Sequence, residues 1–410
     1  MLAGELRISR GVVVEAYQRL IDEGLARGRT GAGTTVLGVS RTASSDRRAE
    51  FRLPLPPRAG IDIDLSPGVP DLSAFPRRQW LRAERAVLDE ITAADLGYGD
   101  PGGTPRLRAE LIQWLRRVRG VRAEADDVIV VSGVAQALAL LAQTLRAGGV
   151  TAAAVEDPGS RGARDQMAHW GVRPEPVPVD DEGVRVDRIT QEVAVLTPAH
   201  QFPTGVVLGP VRRRQLLAWG GLVVEDDYDA EHRYDRAPVA ALQGSAPEQV
   251  AYAGSVSKSL APAMRLGWLI APRRMQADLL EAKHDSDLGN PAIPQLVLAR
   301  LLATGDYERH LRLVRARQRR RRDALLSGLQ ALPDARITGV AAGLHLLVLF
   351  PKSDVSDISL AEEAARRGVL VHPLCWHRHA PGVPGLVLGY AAHPPDRLLE
   401  AARRLAFIPR

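Results

Sequence analysis

Ser255-Val256-Ser257-Lys258-Ser259, with Arg265 seven positions after the lysine, is the stretch best equipped for chemistry. A lysine amine forms an imine with a carbonyl compound, and two serine hydroxyls plus a guanidinium hold a phosphate by charge-assisted hydrogen bonds. The spacing suits a ligand that carries both an aldehyde and a phosphate, although SxSK alone suits a solvated loop equally well. Other segments bear on the choice. Ser132-Gly133-Val134-Ala135-Gln136 follows the apolar run Val128–Val131 and opens a helix, so its free amides would form an anion site. Glu225-Asp226-Asp227-Tyr228-Asp229 follows Val223-Val224 and sets acids at the carboxyl edge of a sheet, where open α/β sheets bind ligands. A buried carboxylate there could keep a pyridine nitrogen protonated, with Tyr228 in reach of a neighbouring phenolic oxygen. Pro198-Ala199-His200-Gln201-Phe202-Pro203-Thr204-Gly205 is a further turn of this kind, stiffened by proline and freed by glycine.

The elements that must position these residues follow from pattern. From Ile63 onward, helical stretches (Arg77–Ile91, Pro105–Arg119, Ala135–Arg146) alternate with short apolar runs. Strands are expected at Val128–Val131, Ala152–Val155, Val193–Thr197, Leu222–Val224, Gln249–Ala253 and Gly267–Ala271, an order that predicts a mainly parallel α/β sheet. After about Pro291 a long arginine-studded helix leads to short strands near Arg336–Ile337, Leu344–Leu349, Val369–Val371 and Gly385–Leu388 and a final helix over Asp396–Leu405, which predicts a smaller α+β domain. The eight arginines between Arg309 and Arg322 read first as a solvated face and second as a contact with DNA.

The 410 residues exceed one ordinary core, and 45% hydrophobic with 25% charged residues is the composition of a soluble globular protein. A net charge of +6 permits a polyanionic partner without requiring one. The single cysteine, Cys375, excludes an intramolecular disulfide framework and a cysteine-based zinc site, and it fits a reducing cytosol; no metal is expected. No apolar leader follows Met1 and no run is long enough to span a membrane, so a cytoplasmic protein is expected.

The first 36 residues have another character. Ser9 can cap a helix whose apolar stripe is Val13, Ala16, Tyr17 and Leu20, ending before Gly24. Leu25–Arg29 and Gly33–Val36 flank Thr30-Gly31-Ala32 as a small hairpin. A helix followed by a basic, glycine-tipped hairpin suits DNA, with Arg10 and Gly11 on the helix and Arg27 and Arg29 near phosphates. Residues 37–62 carry Ser, Thr, Arg41, Arg47, Arg48, Arg52, Arg58, Pro54, Pro56 and Pro57 without an apolar period and are expected to be a linker. The expected division is 1–36, linker 37–62, large domain 63–290 and small domain 291–410.

The segment from Leu6 to Leu20, with Glu23-Gly24-Leu25 through Thr34, resembles the second half of a GntR-type winged helix-turn-helix. The chain starts inside that module's second helix, so a truncated DNA-binding unit is expected, from a misassigned start or from degeneration. In order along the chain, Asp64-Leu65-Ser66-Pro67-Gly68-Val69-Pro70, Leu96–Gly103, Val155-Glu156-Asp157-Pro158-Gly159, the Pro198–Gly205 turn, Glu225-Asp226-Asp227-Tyr228 and Ser255–Arg265 resemble fold-type I aminotransferases, which use pyridoxal 5′-phosphate (PLP). The combination resembles the MocR-type regulators. The resemblance implies that Lys258 forms the internal aldimine, that Asp226 pairs with the pyridinium nitrogen, and that Tyr228 bonds the phenolic oxygen. It further implies that Ser255, Ser257, Arg265 and the amides of Val134 and Ala135 hold the phosphate. Where aminotransferases place an asparagine in the Asn-Pro-Thr-Gly turn, Phe202 cannot bond that oxygen, and His200 or Gln201 is expected to substitute. Ser160 stands where many relatives carry an aromatic, and Val387 stands where transaminases place the arginine that clamps a substrate carboxylate; Arg378 or another arginine could serve in its place, though no motif assigns it. The implied function is a PLP-dependent regulator that senses an amine or amino acid through an external aldimine at Lys258. An aminotransferase with a vestigial DNA-binding part is the alternative. DNA, a small amine effector and a second copy of the chain are the implied partners.

Overall fold

The computed structural model describes residues 2–29, 31–38, 60–229, 231–234, 239–332 and 334–406. Two compact units follow one another, Met1–Pro57 and Arg58–Arg410. In the first, the helix Arg10–Asp22 begins where Ser9 Oγ accepts the Val12 N–H at 3.3 Å. Its apolar stripe buries no side chain among the described residues. The strands Ala26–Arg29 and Gly33–Val36 pair antiparallel with Arg29 opposite Gly33. Arg10, Gly11, Arg27 and Arg29 are all exposed, and Arg27 and Arg29, two apart on a strand, share a face. Thr30 at the hairpin tip and residues 39–59, which include the linker's five arginines and Pro54, Pro56 and Pro57, lie outside the described residues.

The second unit is built on an eight-stranded sheet. Its spatial order is Val128–Val131, Gly267–Ile270, Val250–Ser255, Leu222–Asp227, Val193–Leu196, Ala152–Asp157, Arg173–Asp180 and Gly183–Val184. The five strands from Val250–Ser255 to Arg173–Asp180 run parallel; Gly267–Ile270 is antiparallel to both its neighbours, and the last pair is antiparallel. This is the mainly parallel sheet expected. Helices bury both faces, as an apolar run such as Val128–Val131, with all four residues buried, requires. The helix Pro105–Arg119 shows the local rules: Thr104 caps it, Pro105 opens it, Leu107, Leu111 and Leu115 fall on one buried face, and Gly120 at φ 67° ends it. Each of those leucines contributes ~2 kcal/mol of burial.

A second, four-stranded antiparallel sheet orders Arg336–Thr338, His345–Leu349, Gly385–Gly389 and His372–Pro373. The helices Asp306–Leu329 and Pro395–Leu405 supply Leu325, Leu329, Leu398 and Leu405 to its core, where Ile63 and Leu65 also pack. Ile63–Asp64 pairs parallel with Val369–Leu370, so the segment that opens this unit is tied to the small sheet.

The arginine-rich helix departs from a solvated face. Arg317 Nε and Arg321 Nη2 meet Asp71 Oδ2 at 2.7 and 2.9 Å, Arg315 Nε donates to Glu231 O at 3.0 Å, and the Arg322 guanidinium lies 4.9 Å over the Tyr234 ring. Asp71 is buried, and a buried carboxylate requires charged partners. Arg312, Arg319 and Arg320 remain exposed.

Candidate functional site

Three sheet strands end side by side at one edge. Val250–Ser255 leads into Ser257 and Lys258, Leu222–Asp227 carries Asp226 next to its end and leads into Tyr228, and Val193–Leu196 leads into the Pro198–Gly205 turn. Parallel strands ~4.8 Å apart thus bring Lys258, Asp226, Tyr228 and His200 to one place. The acids do not follow their strand, as the sequence suggested, but form its last turn of ladder, with Asp226 opposite Ala253 and Asp227 opposite Gly254.

Lys258 Nζ donates to Gly68 O at 2.5 Å. Burial lowers the amine's pKa, opposed by the negative charges of Asp229 and Asp226. Asp226 titrates at about 7: burial raises it, Asp227 and Asp229 add to the rise, and Lys258 opposes it. Its Oδ1 is buried with no hydrogen-bond partner. Asp227 behind it is sealed off, since its Oδ2 accepts from Arg119 Nε at 2.7 Å and from the Tyr252 hydroxyl. Glu225, fully buried, accepts the amides of Leu242 and Gln243. Among the described residues Asp226 Oδ1 and Asp227 Oδ1 both lack a partner, but Asp227 is held by Arg119, and Asp226 is the acid whose carboxyl feels the Lys258 charge.

Tyr228 OH lies 3.0 Å from His200 Nδ1, and that nitrogen also lies 2.9 Å from Asp229 Oδ2. Burial, then Asp229, holds the Tyr228 hydroxyl well above its ordinary pKa, so it stays a donor. Gln201 is spent on the turn itself, donating to Pro158 O and Phe202 O and accepting from Thr204 Oγ1 at 2.6 Å. Between the two expected substitutes, His200 is the one brought to Tyr228.

At the other end, Gly133 starts the Val134–Ala147 helix at φ 89° without a side-chain cap, and the amides of Val134 and Ala135 donate to no acceptor among the described residues. Arg265, itself at φ 49°, donates to Ser132 O, and its Nη1 would lie 3.3 Å from any Cβ on Gly133. Ser255 Oγ accepts the Ser257 amide at 3.3 Å, and Asn290 Nδ2 donates to Ser132 Oγ at 2.8 Å. Hydroxyls, open amides and a guanidinium therefore surround one helix N-terminus, the arrangement that holds a phosphate. The donor set fits PLP at both ends: this cradle for the phosphate, and the unpartnered Asp226 oxygen for the ring nitrogen.

Four contributors were missed in the sequence. Gly68 and Asp229 lie within motifs the sequence shows and Asn290 outside any, and which atoms all three would meet depends on long-range folding. Gly343 has no local signal: a Cβ there would fall 2.0 Å from His200 Cε1. The expected substitute clamp is absent too. Arg378 donates to Val383 O and Gly382 O and pairs with Asp357 at 3.6 Å. Val387 is fully buried with Leu347 and Leu374 against Phe202.

A cavity of about 1000 Å³ lies along Leu96–Asp100 and Asp287–Leu296, on the Asn290 side rather than over Lys258. Tyr98 on its rim is 94% exposed. The chemistry resides at the sheet edge, where the polar atoms converge.

Residues 61–405 match the family described as aminotransferase class I and II. The chain is 33% identical to the HTH-type pyridoxine biosynthesis transcriptional regulator PdxR of Corynebacterium glutamicum, over 97% of this chain and 87% of that protein. It is 29% identical to the probable rhizopine catabolism regulatory protein MocR of Rhizobium meliloti, over 99% and 87%. The fold superposes with a TM-score of 0.76 on LysN, the α-aminoadipate aminotransferase of Thermus thermophilus complexed with N-(5′-phosphopyridoxyl)-L-leucine, at 27% identity over 85% of this chain and 92% of that one. With an aminotransferase-like fold over residues 61–405 and near full-length similarity to helix-turn-helix regulators, the chain belongs to the MocR-type family of transcriptional regulators built on an aminotransferase class I and II domain.

Proposed function

We propose that this protein is a PLP-dependent transcriptional regulator that senses an amine or amino acid at Lys258. One observation carries the choice of sensing over turnover. Similarity to helix-turn-helix regulators runs over nearly the whole chain, 33% identical over 97% of it in one case, beside a floor of Lys258, Asp226 and Tyr228 equipped to hold the cofactor. Bound PLP supplies an aldehyde carbon that exchanges one amine for another and a ring that draws electrons from it. Lys258, with its pKa lowered, offers a nucleophilic amine for that carbon. Asp226 Oδ1 takes the ring N–H. Tyr228 donates to the phenolic oxygen, while His200, held by Asp229, fixes the Tyr228 hydroxyl. Ser255, Ser257, Arg265 and the amides of Val134 and Ala135 hold the phosphate.

Lys258 set free by an incoming amine would be able to donate to Gly68 O as it does here, and Gly68 belongs to the segment running to Asp71 and the small sheet. Effector exchange at Lys258 is thereby coupled to the small sheet and its helices. DNA is the output partner, contacted by Arg10, Gly11, Arg27 and Arg29, and the chain works in the cytoplasm as a homodimer. We take residues 63–290 as the PLP-binding domain, 291–410 as the small domain, and 37–62 as the tether to the DNA-binding part. No helix among the described residues is long and apolar enough to cross a membrane.

The test is a panel of amino acids with a keto-acid acceptor, read by the absorbance of bound PLP and by product formation. The sensor predicts a saturable absorbance change without product accumulation. Sustained turnover that vanishes in Lys258→Ala would assign the chain to catalysis instead.

A further inference from the structure

Val387 faces His372 across the small sheet, and there the polar character of the wall resumes. His372 stacks on His377, with ring centroids 5.6 Å apart and 15° between planes. His377 lies 5.0 Å from the Phe202 ring, and Phe202 lies 6.2 Å from Tyr228, so the imidazole is one ring removed from the floor of the site. Both nitrogens of His377 and Nδ1 of His372 are buried without a hydrogen-bond partner. Arg164 enters the same place from the helix Arg161–His169. It is 8% exposed, its Nη2 donates to Trp376 O at 2.9 Å, and its Nη1 is buried without a partner.

The acids nearby are engaged elsewhere. Asp157 accepts the amides of His379 and Ala380, and Asp165 pairs with Arg161 at 3.4 Å. Gly159 N donates to His377 O at 2.7 Å, which fixes the His377 segment against the end of the Ala152–Asp157 strand. Arg164 is bonded to the residue before His377 and its charge helps keep that imidazole neutral, while Arg164 Nη1 and both His377 nitrogens make no hydrogen bond among the described residues. Buried donors are almost always satisfied, so a cluster of unsatisfied ones points to a ligand that supplies the acceptor.

We propose that Arg164, assisted by His377 and His372, binds the carboxylate of the effector amine, in place of a cation at Val387. This deepens the amine-sensing reading and rests on it. The effector class is an amine that carries a carboxylate. The carboxylate accepts from Arg164 Nη1 and an imidazole N–H while the amine would reach the cofactor carbon that Lys258 otherwise holds, with Phe202 and Val387 packing on the apolar atoms between.

The PLP-loaded full chain is titrated with glycine, alanine and 4-aminobutyrate and with their decarboxylated counterparts methylamine, ethylamine and propylamine, read by cofactor absorbance. At least one amino acid is expected to bind at least about tenfold tighter than its amine, and Arg164→Gln to remove most of that ratio while changing plain-amine affinity by less than about twofold. Arg164→Lys restores part of the ratio, and His377→Phe lowers it. If Arg164→Gln fails to retain the cofactor, Arg164→Lys and His377→Phe carry the test. An unchanged ratio in these variants, or no preference for any carboxylate in the wild type, overturns the proposal and leaves amine sensing standing. A wild type whose absorbance answers to no amine overturns both.

Discussion

Lys258 and Asp226 are displaced from their ordinary protonation by the same burial, in opposite directions. The amine is lowered and the carboxyl raised to about 7. Reduction of the PLP-loaded protein with borohydride should attach the cofactor to the Lys258 peptide, read by mass spectrometry, and attachment to another lysine would reassign the site. Asp226→Asn should weaken PLP binding about tenfold or more, because the amide cannot neutralise a pyridinium. His377 gives a pH prediction of defined sign. Burial lowers it to about 3, so the folded state keeps it neutral while the unfolded chain protonates near 6.5. Its contribution is full above about pH 6.5 and is lost progressively as pH falls toward 3, by roughly 2 kcal/mol at pH 5. His377→Phe should narrow the difference in unfolding free energy between pH 7 and pH 5 by that amount, measured by urea titration. An unaltered difference would mean that His377 is protonated in the fold. The reactive residues were legible because lysine among hydroxyls and acids after a strand announce their chemistry locally. Their partners were less so: Lys258 meets Gly68 across 190 positions, and nothing near Gly343 says that His200 will press against it.

Elements hold these residues through close backbone approach and one buried ion pair. A Cβ on Gly267 would lie 2.8 Å from both Gly133 Cα and Gly254 O, and a backbone has little room to yield. Gly267→Ala should therefore push the Gly267–Ile270 strand off the turn before the Val134–Ala147 helix. About 1–3 kcal/mol of stability and tighter-than-proportional loss of PLP affinity are expected, by urea titration and cofactor absorbance. Arg119 at the end of its helix clamps Asp227 from below, both side chains 1% exposed. Arg119→Met leaves that carboxylate buried without its cation and should cost about 3–5 kcal/mol, most of which Arg119→Met with Asp227→Leu should recover. An equal loss in the double variant would assign the effect to packing. The central strands were legible because buried parallel strands are continuous apolar runs. Arg173–Asp180 was not, because Pro174, Pro176 and Pro178 mark it as a non-strand. Their alternation explains the exception: Arg173 N donates to Thr151 O, so the odd positions face the neighbouring strand and the prolines turn their missing N–H the other way.

At the scale of the whole molecule, a net charge of +6 and an exposed pair of arginines on one hairpin face suit a polyanion. Arg27→Ala and Arg29→Ala should each weaken binding to the gene's own upstream DNA and lower the salt slope by about one, with little dependence on sequence. An unchanged slope would remove them from the phosphate contact. The sequence order of motifs made the fold type and cofactor class legible. The effector side was not, since it assembles from His372, His377 and Arg164, which no single motif joins. The most direct test of the account is DNA affinity, by fluorescence anisotropy, with and without the amine that most perturbs the cofactor's absorbance, for PLP-loaded and cofactor-stripped protein. The account predicts at least about a fivefold change with PLP and none without it. No change in the loaded protein, or the same change in the stripped one, would contradict it.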